Sequence, residues 1–145
     1  MMHYLVTGGA GFIGTHLCNY LISLGHQVSI LDDMSFGDPT KIHPKAKLII
    51  GKIEDSNLCL EVTKNIDGVF HMAAFSRSGP SFDMPEQCHE SNALGTLNIL
   101  QACKKNGVKR IVYSGSSTFY GNKMGVQKEG DPGDFLNFYG LTKHV

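Results

Sequence analysis

The stretch that decides the fold is Thr7-Gly8-Gly9-Ala10-Gly11-Phe12-Ile13-Gly14, in which three glycines stand at three-residue steps. The apolar run Tyr4-Leu5-Val6 before it predicts a buried strand that enters a tight turn. The sequence after it predicts a helix that is capped at its C-terminus by Gly25 and has one apolar face, formed by Ile13, Leu17, Leu21 and Leu24. A strand, a glycine-rich turn and a helix together are typical of a phosphate-binding turn, whereas a glycine triplet alone fits many tight turns.

Strands and helices alternate along the rest of the chain. Apolar runs predict further strands at Val28–Leu31, Lys47–Ile50, Gly68–Met72 and Arg110–Tyr113. Helices are predicted over Ser56–Lys64 and over a segment that ends at Asn106-Gly107 and is marked by Ala93, Leu94, Leu97, Leu100 and Cys103. This rhythm predicts an α/β fold, a Rossmann-type doubly wound parallel sheet, in which ligands bind beyond the carboxyl ends of the strands.

The composition is that of an ordinary globular domain. The chain has 145 residues, enough for one domain over residues 1–145, and no internal boundary is predicted. Its 13 basic and 13 acidic residues balance, which favours a small-molecule partner over nucleic acid or an anionic membrane. No apolar stretch approaches the roughly 18 residues of a membrane span, and the N-terminus lacks the basic region of a signal peptide. We therefore expect a cytoplasmic protein.

The four cysteines predict buried free thiols. They form no Cys-x-x-Cys pair, and each lies in or beside a predicted helix: Cys18, Cys59, Cys88 and Cys103. The histidines show no spacing typical of metal ligands, and His71 is expected to end a buried strand. We therefore predict no metal site.

Two irregular stretches follow predicted strands. Ser114–Phe138 is rich in glycine, serine and asparagine and is too long for an ordinary connector, which predicts an active-site loop. Arg77–Ser81 fits a loop that lines phosphate groups and a plain surface loop equally well.

Two acidic residues after the second strand indicate which dinucleotide would bind. Asp32 lies 18 residues beyond Gly14, near the spacing of about 20 expected for the acid that accepts from the adenosine ribose hydroxyls. A 2′-phosphate would meet the charges of Asp32 and Asp33 with no arginine nearby, so NAD is favoured over NADP. The alternative is that the two aspartates only solvate a turn.

Seven motifs follow one another along the chain: the glycine turn, Leu31-Asp32-Asp33, His71-Met72-Ala73-Ala74, Asn92-Ala93-Leu94-Gly95-Thr96-Leu97-Asn98, Tyr113-Ser114-Gly115-Ser116, Tyr120-Gly121 and Tyr139-Gly140-Leu141-Thr142-Lys143. In this order they resemble the extended short-chain dehydrogenases/reductases, and within them the NAD-dependent epimerase/dehydratase family. The resemblance covers the whole chain but about half of a usual member. It implies a domain truncated before the last strands and the C-terminal substrate region.

The resemblance also implies a set of NAD-binding residues. It assigns the pyrophosphate to Gly8, Gly11, Phe12, Ile13 and Gly14, the adenosine ribose to Asp32, Asp33, Met34, Ser35 and Gly37, and the remainder of the cofactor to Met72, Ala73, Ala74, Ser76, Asn92, Ser114, Tyr139 and Lys143. At Lys52-Ile53 the chain departs from the family, which carries at position 52 an acid that accepts from the adenine amine. Ile53 would pack on adenine, and Glu54 is a candidate replacement acceptor. Asn92 fits equally well a residue that braces a helix.

Tyr139 and Lys143 stand four residues apart, which places both on one face of a helix. A nearby ammonium favours the phenolate form of a tyrosine, whose ordinary pKa is about 10, so the pair predicts a general base. The resemblance adds Ser116 as the residue that orients the reacting hydroxyl, and Lys143 as a holder of the nicotinamide ribose. Sugar dehydratases of the family carry Asp-Glu where Ser117-Thr118 stand, so water elimination is not expected.

The resemblance implies an NAD-dependent epimerase of nucleotide sugars, of the UDP-hexose 4-epimerase type, that oxidises its substrate transiently to a keto sugar. The implied partners are a UDP-linked sugar and a second copy of the chain in a homodimer, through helices that the chain only partly contains. Two alternatives stay open: a non-catalytic dinucleotide-binding module, and a nucleotide-sugar reductase or dehydrogenase that releases NADH.

Overall fold

The computed structural model describes residues 1–144, and Val145, the last residue of the predicted domain, lies outside the described residues. The chain forms two compact units. Unit 1 consists of Met1–Ala73 and Gly95–Ser114, and unit 2 of Ala74–Leu94 and the chain from Gly115 onward. A single domain over residues 1–145 stays a prediction.

Unit 1 is built on a parallel sheet. Its strands are β1 (His3–Thr7), β2 (Gln27–Asp32), β3 (Lys47–Ile50), β4 (Gly68–His71) and β5 (Arg110–Tyr113). All neighbouring pairs run parallel, in the order β3-β2-β1-β4-β5. The predicted Rossmann-type sheet is therefore confirmed, and the order reverses beside β1, where such folds bind their ligands.

The strand register places the glycine-rich turn at this reversal point. Thr7, the last residue of β1, pairs with Leu31 of β2 on one side and with His71 of β4 on the other. The three strands therefore end at one edge of the sheet, and the turn that begins at Gly8 leaves from the middle of that edge. His71 ends its strand and is buried, as predicted.

The first helix, α1 (Phe12–Ser23), begins directly after the turn. Its C-terminus forms a Schellman motif, because the Gly25 N–H donates to the Ile22 carbonyl oxygen at 2.9 Å and the His26 N–H donates to the Leu21 carbonyl oxygen at 3.1 Å. The helix ends at Ser23, and the predicted cap at Gly25 is present.

The predicted apolar face of α1 is wrong at both ends. Ile13 and Leu24 are exposed, whereas the helix buries Gly14, Thr15, Cys18 and Leu21. The reason is packing: small side chains let the helix backbone approach the sheet closely, and this turns the larger residues at the helix ends toward the rim.

The other helices of unit 1 are α2 (Ser56–Val62) and α5 (Gly95–Asn106). The Asp55 side chain caps α2 by accepting from the N–H groups of Asn57 and Leu58. Leu97 and Leu100, whose spacing marked this helix in the sequence, remain 48% and 47% exposed. The helix instead buries Thr96, Asn98, Ile99, Ala102 and Cys103. Periodicity located the helix but not its buried side.

Two apolar clusters cover the two faces of the sheet. One joins β1 and β2 to α1 and centres on Val6, Cys18, Leu21, Val28 and Ile30. The other joins the sheet to α2 and α5 and centres on Leu5, Leu31, Ile53, Cys59, Val69, Ile99 and Cys103. All four cysteines are buried and free, which confirms the predicted thiols.

Unit 2 contains short helices. They are α3 (Pro80–Asp83), α4 (Pro85–His89), a π-helical turn (Glu90–Leu94), a 3₁₀ turn (Ser117–Tyr120) and α6 (Phe138–Thr142). Two predictions need correction here. The long helix predicted from Ala93 is preceded by the π-helical turn and starts only at Gly95, and the loop predicted over Arg77–Ser81 already contains the start of α3. No helix within residues 1–144 combines the length and apolar character needed to cross a membrane.

Candidate active site

The glycine turn is tight enough to exclude side chains at two positions. Gly8 has a φ of +68°, and a Cβ added there would lie 2.7 Å from the backbone nitrogen of Ala73. A Cβ at Gly14 would overlap the Gly8 carbonyl oxygen and lie 2.6 Å from the Gly9 Cα. The turn therefore folds back onto both the start of α1 and the chain that follows β4.

The N-terminus of α1 fits an anionic group. Its N-cap residue, Gly11, makes no side-chain capping bond, and the first turn carries no acidic residue. Phe12 and Ile13 are exposed, with Phe12 at 81%. Helix N-terminal N–H groups and the positive end of the helix dipole favour phosphate at such a place.

The Asp32 carboxylate is held rigidly at the end of β2. It is 9% exposed, and its two oxygens accept from the Ala10 and Met34 N–H groups, each at 2.9 Å. A carboxylate has about four acceptor positions, so both oxygens can still accept from ribose hydroxyls. Asp33 is exposed and accepts from Ser35 N–H and Oγ at 2.9 and 2.6 Å.

The residues after Asp32 form a strained loop. Met34 has a φ of +62°, in the left-handed region that non-glycine residues rarely adopt. The bond from its N–H to Asp32 helps to hold this conformation. Such strain is common at ligand-binding segments, and the ribose contacts of Met34, Ser35 and Gly37 stay a prediction.

The predicted adenine contacts lie after β3. Lys52 is exposed, while Ile53 is buried and belongs to the core. The Asn98 amide donates to the carbonyl oxygens of Ile53 and Glu54 at 3.1 and 3.0 Å, which fixes this segment against α5. Ile53 thus offers little surface to a ligand, and its adenine contact stays a prediction.

A buried polar network fixes the chain where it leaves β4. Thr7 Oγ1 lies 2.6 Å from His71 Nδ1, and the other ring nitrogen of His71 lies 3.0 Å from Thr96 Oγ1. Thr7 Oγ1 also accepts from the Ala73 N–H at 3.2 Å. This network positions Met72 and Ala73, and the Ser114 N–H donates to the His71 carbonyl oxygen.

In unit 2, Asn92 is a bracing residue. Its Oδ1 accepts from the Phe75 N–H at 2.7 Å, and its Nδ2 donates to the Phe75 carbonyl oxygen at 3.2 Å and to Thr142 Oγ1 at 3.0 Å. The side chain is buried. The structure thus supports the alternative in which Asn92 braces a helix, and it places Asn92 between the Ala74–Ser76 segment and α6.

The predicted catalytic pair lies on α6 and its C-terminal cap. Asn137 caps the helix by accepting from the Gly140 N–H at 2.7 Å, and the Lys143 N–H donates to the Tyr139 carbonyl oxygen at 3.1 Å. The Tyr139 N–H donates to Ser81 Oγ at 3.3 Å. Lys143 is 8% exposed, and burial lowers its pKa to about 8, with a smaller opposing effect from Cys88.

Ser116 lies close to the same helix. It caps the 3₁₀ turn by accepting from the Thr118 N–H at 3.3 Å. A Cβ added at Gly140 would lie 3.2 Å from the Thr118 carbonyl oxygen. The structure therefore brings the turn that begins at Ser116 against the helix that carries Tyr139 and Lys143.

Comparison with known proteins identifies the family of the chain. Residues 4–145 match the model of the NAD dependent epimerase/dehydratase family. The chain belongs to this family. The match confirms the predicted family and, with it, the prediction of an NAD-dependent protein.

The chain is also similar to individual members of the epimerase/dehydratase family. The chain is 37% identical to a UDP-glucose 4-epimerase of Lactobacillus helveticus, over 98% of this chain and 44% of that protein. Two crystal structures of UDP-glucose 4-epimerases superpose closely. The enzyme of Thermotoga maritima, solved with UDP-glucose, is 31% identical with a TM-score of 0.94, over 99% of this chain and 48% of that one. That of Brucella ovis, solved with NAD, is 29% identical with a TM-score of 0.93, over 99% and 45%. The chain thus spans about half the length of these relatives.

Sequence reasoning missed three residues that surround the predicted catalytic pair. Ser81 contacts the backbone of Tyr139, while Cys88 and Thr142 contact Asn92. One signal was available: Pro80 and Pro85 both stand at favoured first positions of helices and could have located α3 and α4. The contacts of Ser81 with Tyr139 and of Asn92 with Thr142 join residues 58 and 50 positions apart, so no local pattern reports them.

The burial of Lys143 predicts a pH dependence of stability. Its pKa is about 8 when folded and 10.5 in the ordinary state, so the unfolded chain binds more protons between these values and the free energy of unfolding rises with pH. Between pH 8 and pH 10 we therefore expect the unfolding free energy of wild type to rise relative to that of Lys143→Met. Urea denaturation at several pH values measures it, and parallel curves for the two proteins would contradict the burial of a titrating Lys143.

Proposed function

We propose that this chain is the NAD-binding portion of a nucleotide-sugar epimerase of the UDP-hexose 4-epimerase type, which acts through transient oxidation of its substrate to a keto sugar. The observation that supports this most is the arrangement on α6, where Tyr139 and the buried Lys143 lie one helical turn apart beside the Ser116 turn. A general base, a neighbouring ammonium and an orienting hydroxyl are what removal of a proton from a sugar hydroxyl requires.

Each residue of this group has a distinct role in the proposal. Tyr139 Oη removes the proton of the reacting sugar hydroxyl and later returns it. Lys143 is mostly protonated at neutral pH, because its pKa is about 8, and its charge favours the phenolate of Tyr139. Ser116 Oγ donates to or accepts from the sugar hydroxyl and so holds it beside the base.

The residues of unit 1 fit NAD. The glycine turn and the uncapped N-terminus of α1 suit the pyrophosphate, and the Asp32 carboxylate suits an unphosphorylated adenosine ribose. When bound, NAD would accept a hydride from the sugar carbon and return it to the opposite face of the same carbon. Lys52 cannot accept a hydrogen bond from the adenine amine, so we assign that contact to Glu54.

The other cofactor contacts are also part of the proposal. We assign Met72, Ala73, Ala74, Ser76 and Ser114 to the middle of the cofactor, and Tyr139 and Lys143 to its nicotinamide ribose. Asn92 we assign to the support of this region rather than to direct contact, since its amide is already bonded to Phe75 and Thr142.

The experiment that tests the function is NMR observation of substrate turnover. The natural gene product, at its full reading frame, and the 145-residue chain are each incubated with NAD and UDP-glucose, UDP-galactose or their N-acetylated analogues. Conversion of one 4-epimer into the other without net formation of NADH supports the proposal. Net formation of NADH over many turnovers would instead identify the protein as a dehydrogenase. NAD binding without any reaction of the full gene product would leave a binding module.

We further propose a homodimer and a cytoplasmic location. The dimer is supported by Leu97 and Leu100, which leave nearly half of their surface exposed along one side of α5. A reducing compartment is supported by the four buried free thiols.

A further inference from the structure

Cys88 is a buried thiol that none of the proposed chemical steps uses. It lies on α4 and is 0% exposed. Its Sγ is 3.5 Å from Thr142 Oγ1 and 3.6 Å from Asn92 Nδ2. Thr142 and Asn92 therefore connect this thiol to the helix that carries Tyr139 and Lys143.

A count of protons sets the direction of these hydrogen bonds. The Thr142 hydroxyl has one proton, and it donates that proton to the Tyr139 carbonyl oxygen at 3.0 Å. Its oxygen has two acceptor positions. One accepts from Asn92 Nδ2 at 3.0 Å, so the second is filled when the Cys88 S–H donates to it. In this arrangement every hydrogen-bonding position of the Thr142 hydroxyl is satisfied.

Asn92 makes this network rigid from the other side. Its amide forms two hydrogen bonds with the backbone of Phe75, and these bonds also fix which end of the amide is oxygen. The remaining Nδ2 proton points to Thr142 and the Cys88 sulfur. Thr142 is therefore held by two buried partners that are themselves fixed, and Lys143 is the next residue along the chain.

We propose that Cys88 is a positioning residue, whose thiol fixes Thr142 and thereby sets the position of Lys143 and Tyr139. The inference rests on the proposed function for its catalytic meaning, since it assumes that these two residues react with the sugar. Cys88 touches neither substrate nor cofactor in this scheme. It acts on the helix through its contact with Thr142.

The first test follows the titration of Lys143 in the 145-residue chain and needs no substrate. The chain is labelled with [ε-13C]lysine, and the Lys143 signal is assigned by its loss in Lys143→Arg. In Cys88→Ala the anchor of Thr142 is lost and Lys143 becomes more hydrated, so its pKa is expected to rise from about 8 toward 10.5. Cys88→Ser keeps a donor and is expected to remain close to wild type.

The direction of the change separates positioning from a direct charge effect. Cys88 acts on Lys143 so as to raise its pKa, so the loss of that effect alone would lower the pKa of Lys143. A fall, or an unchanged value, in Cys88→Ala would overturn the proposal. Thr142→Val removes the hydroxyl while leaving Cys88 in place, and it is expected to reproduce the rise, which keeps the test available if Cys88→Ala does not fold.

A matched control removes the same atoms elsewhere. Cys103 is also buried in a helix, but it belongs to the core of unit 1. Cys103→Ala should cost similar stability and leave the Lys143 titration unchanged. A shift as large as that of Cys88→Ala would mean that loss of stability alone explains both, which would overturn the proposal.

The second test uses epimerisation by the full gene product. Cys88→Ala is expected to lower kcat by roughly 10- to 100-fold, because small displacements of reacting groups have effects of this size. KM should change little, and Cys88→Ser should recover most of the rate. A kcat in Cys88→Ala equal to that of wild type would contradict the proposal. If no variant and no wild type epimerises, the proposed function fails, while the Lys143 titration still decides whether Cys88 positions the helix.

Discussion

Replacement of Tyr139 by phenylalanine is expected to lower the rate of epimerisation by the full gene product by roughly 10²- to 10⁴-fold, the usual contribution of a general acid or base. The change removes one oxygen and leaves the ring in place. The Tyr139 backbone contacts to Ser81 and Thr142 persist, because they involve its N–H and carbonyl groups. The folded structure should therefore survive, and kcat for the conversion of one UDP-sugar into its epimer measures the effect.

The control is Tyr20→Phe, which removes the same oxygen from an exposed tyrosine on α1. It should leave both kcat and the urea midpoint at their wild-type values. If Tyr139→Phe converts the substrate as fast as Tyr20→Phe does, Tyr139 is not the general base.

Gly14→Ala is expected to have the largest effect on the cofactor site. The added Cβ would overlap the Gly8 carbonyl oxygen and the Gly9 Cα, which are backbone atoms that cannot rotate away. Overpacking of this kind costs about 1–3 kcal/mol of unfolding free energy. The turn must also open, and a loss of about 1.4 kcal/mol in NAD contacts would weaken binding about tenfold. Urea denaturation and calorimetric titration with NAD measure the two effects.

Gly79→Ala supplies the comparison for that variant. An added Cβ at Gly79 meets no atom within 4 Å, but Pro80 follows it and disfavours the α-region backbone of Gly79 for alanine. This substitution should therefore cost some unfolding free energy through the backbone of unit 2 and leave NAD affinity unaltered. If Gly14→Ala behaves in the same way, the turn is not the close-packed phosphate site described above.

The parallel sheet could be predicted because its evidence is local. β3 and β5 occupy the predicted residues, and the glycine turn follows β1 as expected. Each strand of this sheet is a short apolar run bounded by turn residues, so its position depends on few neighbours. The acid at the end of β2 follows from the same local spacing, since Asp32 needs only the strand before it.

The buried sides of the helices could not be predicted in the same way. Leu97 and Leu100 repeat at helical spacing, yet α5 buries Thr96 and Ile99 instead. Periodicity identifies an apolar stripe, but it does not distinguish a stripe that faces the core from one that faces solvent or a partner. The π-helical turn at Glu90–Leu94 was not predicted from the sequence for a related reason. It accompanies the bonds of Asn92 with Phe75, a residue 17 positions earlier.

The contacts that support the predicted catalytic pair were the least predictable part of the candidate site. The spacing of Tyr139 and Lys143 is visible in the sequence. The contact between the Cys88 thiol and Thr142 is not, because it joins residues 54 positions apart. A cysteine in a short amphipathic segment predicts only a small buried side chain. Its hydrogen-bonding role emerges once the fold has brought α4 and α6 together within unit 2.

The strand order has one consequence for the behaviour of the isolated chain. Within residues 1–144 the sheet has two outer strands, β3 and β5, each of four residues. Ile50 is 69% exposed on one of them, and Val112 and Tyr113 are partly exposed on the other. An outer strand presents unmatched backbone donors and acceptors to any extended peptide that approaches it. Purified chain at high concentration is therefore prone to sheet-mediated self-association, and a lysine on the outer face of β5 in place of Val112 is the substitution best suited to keep it monodisperse.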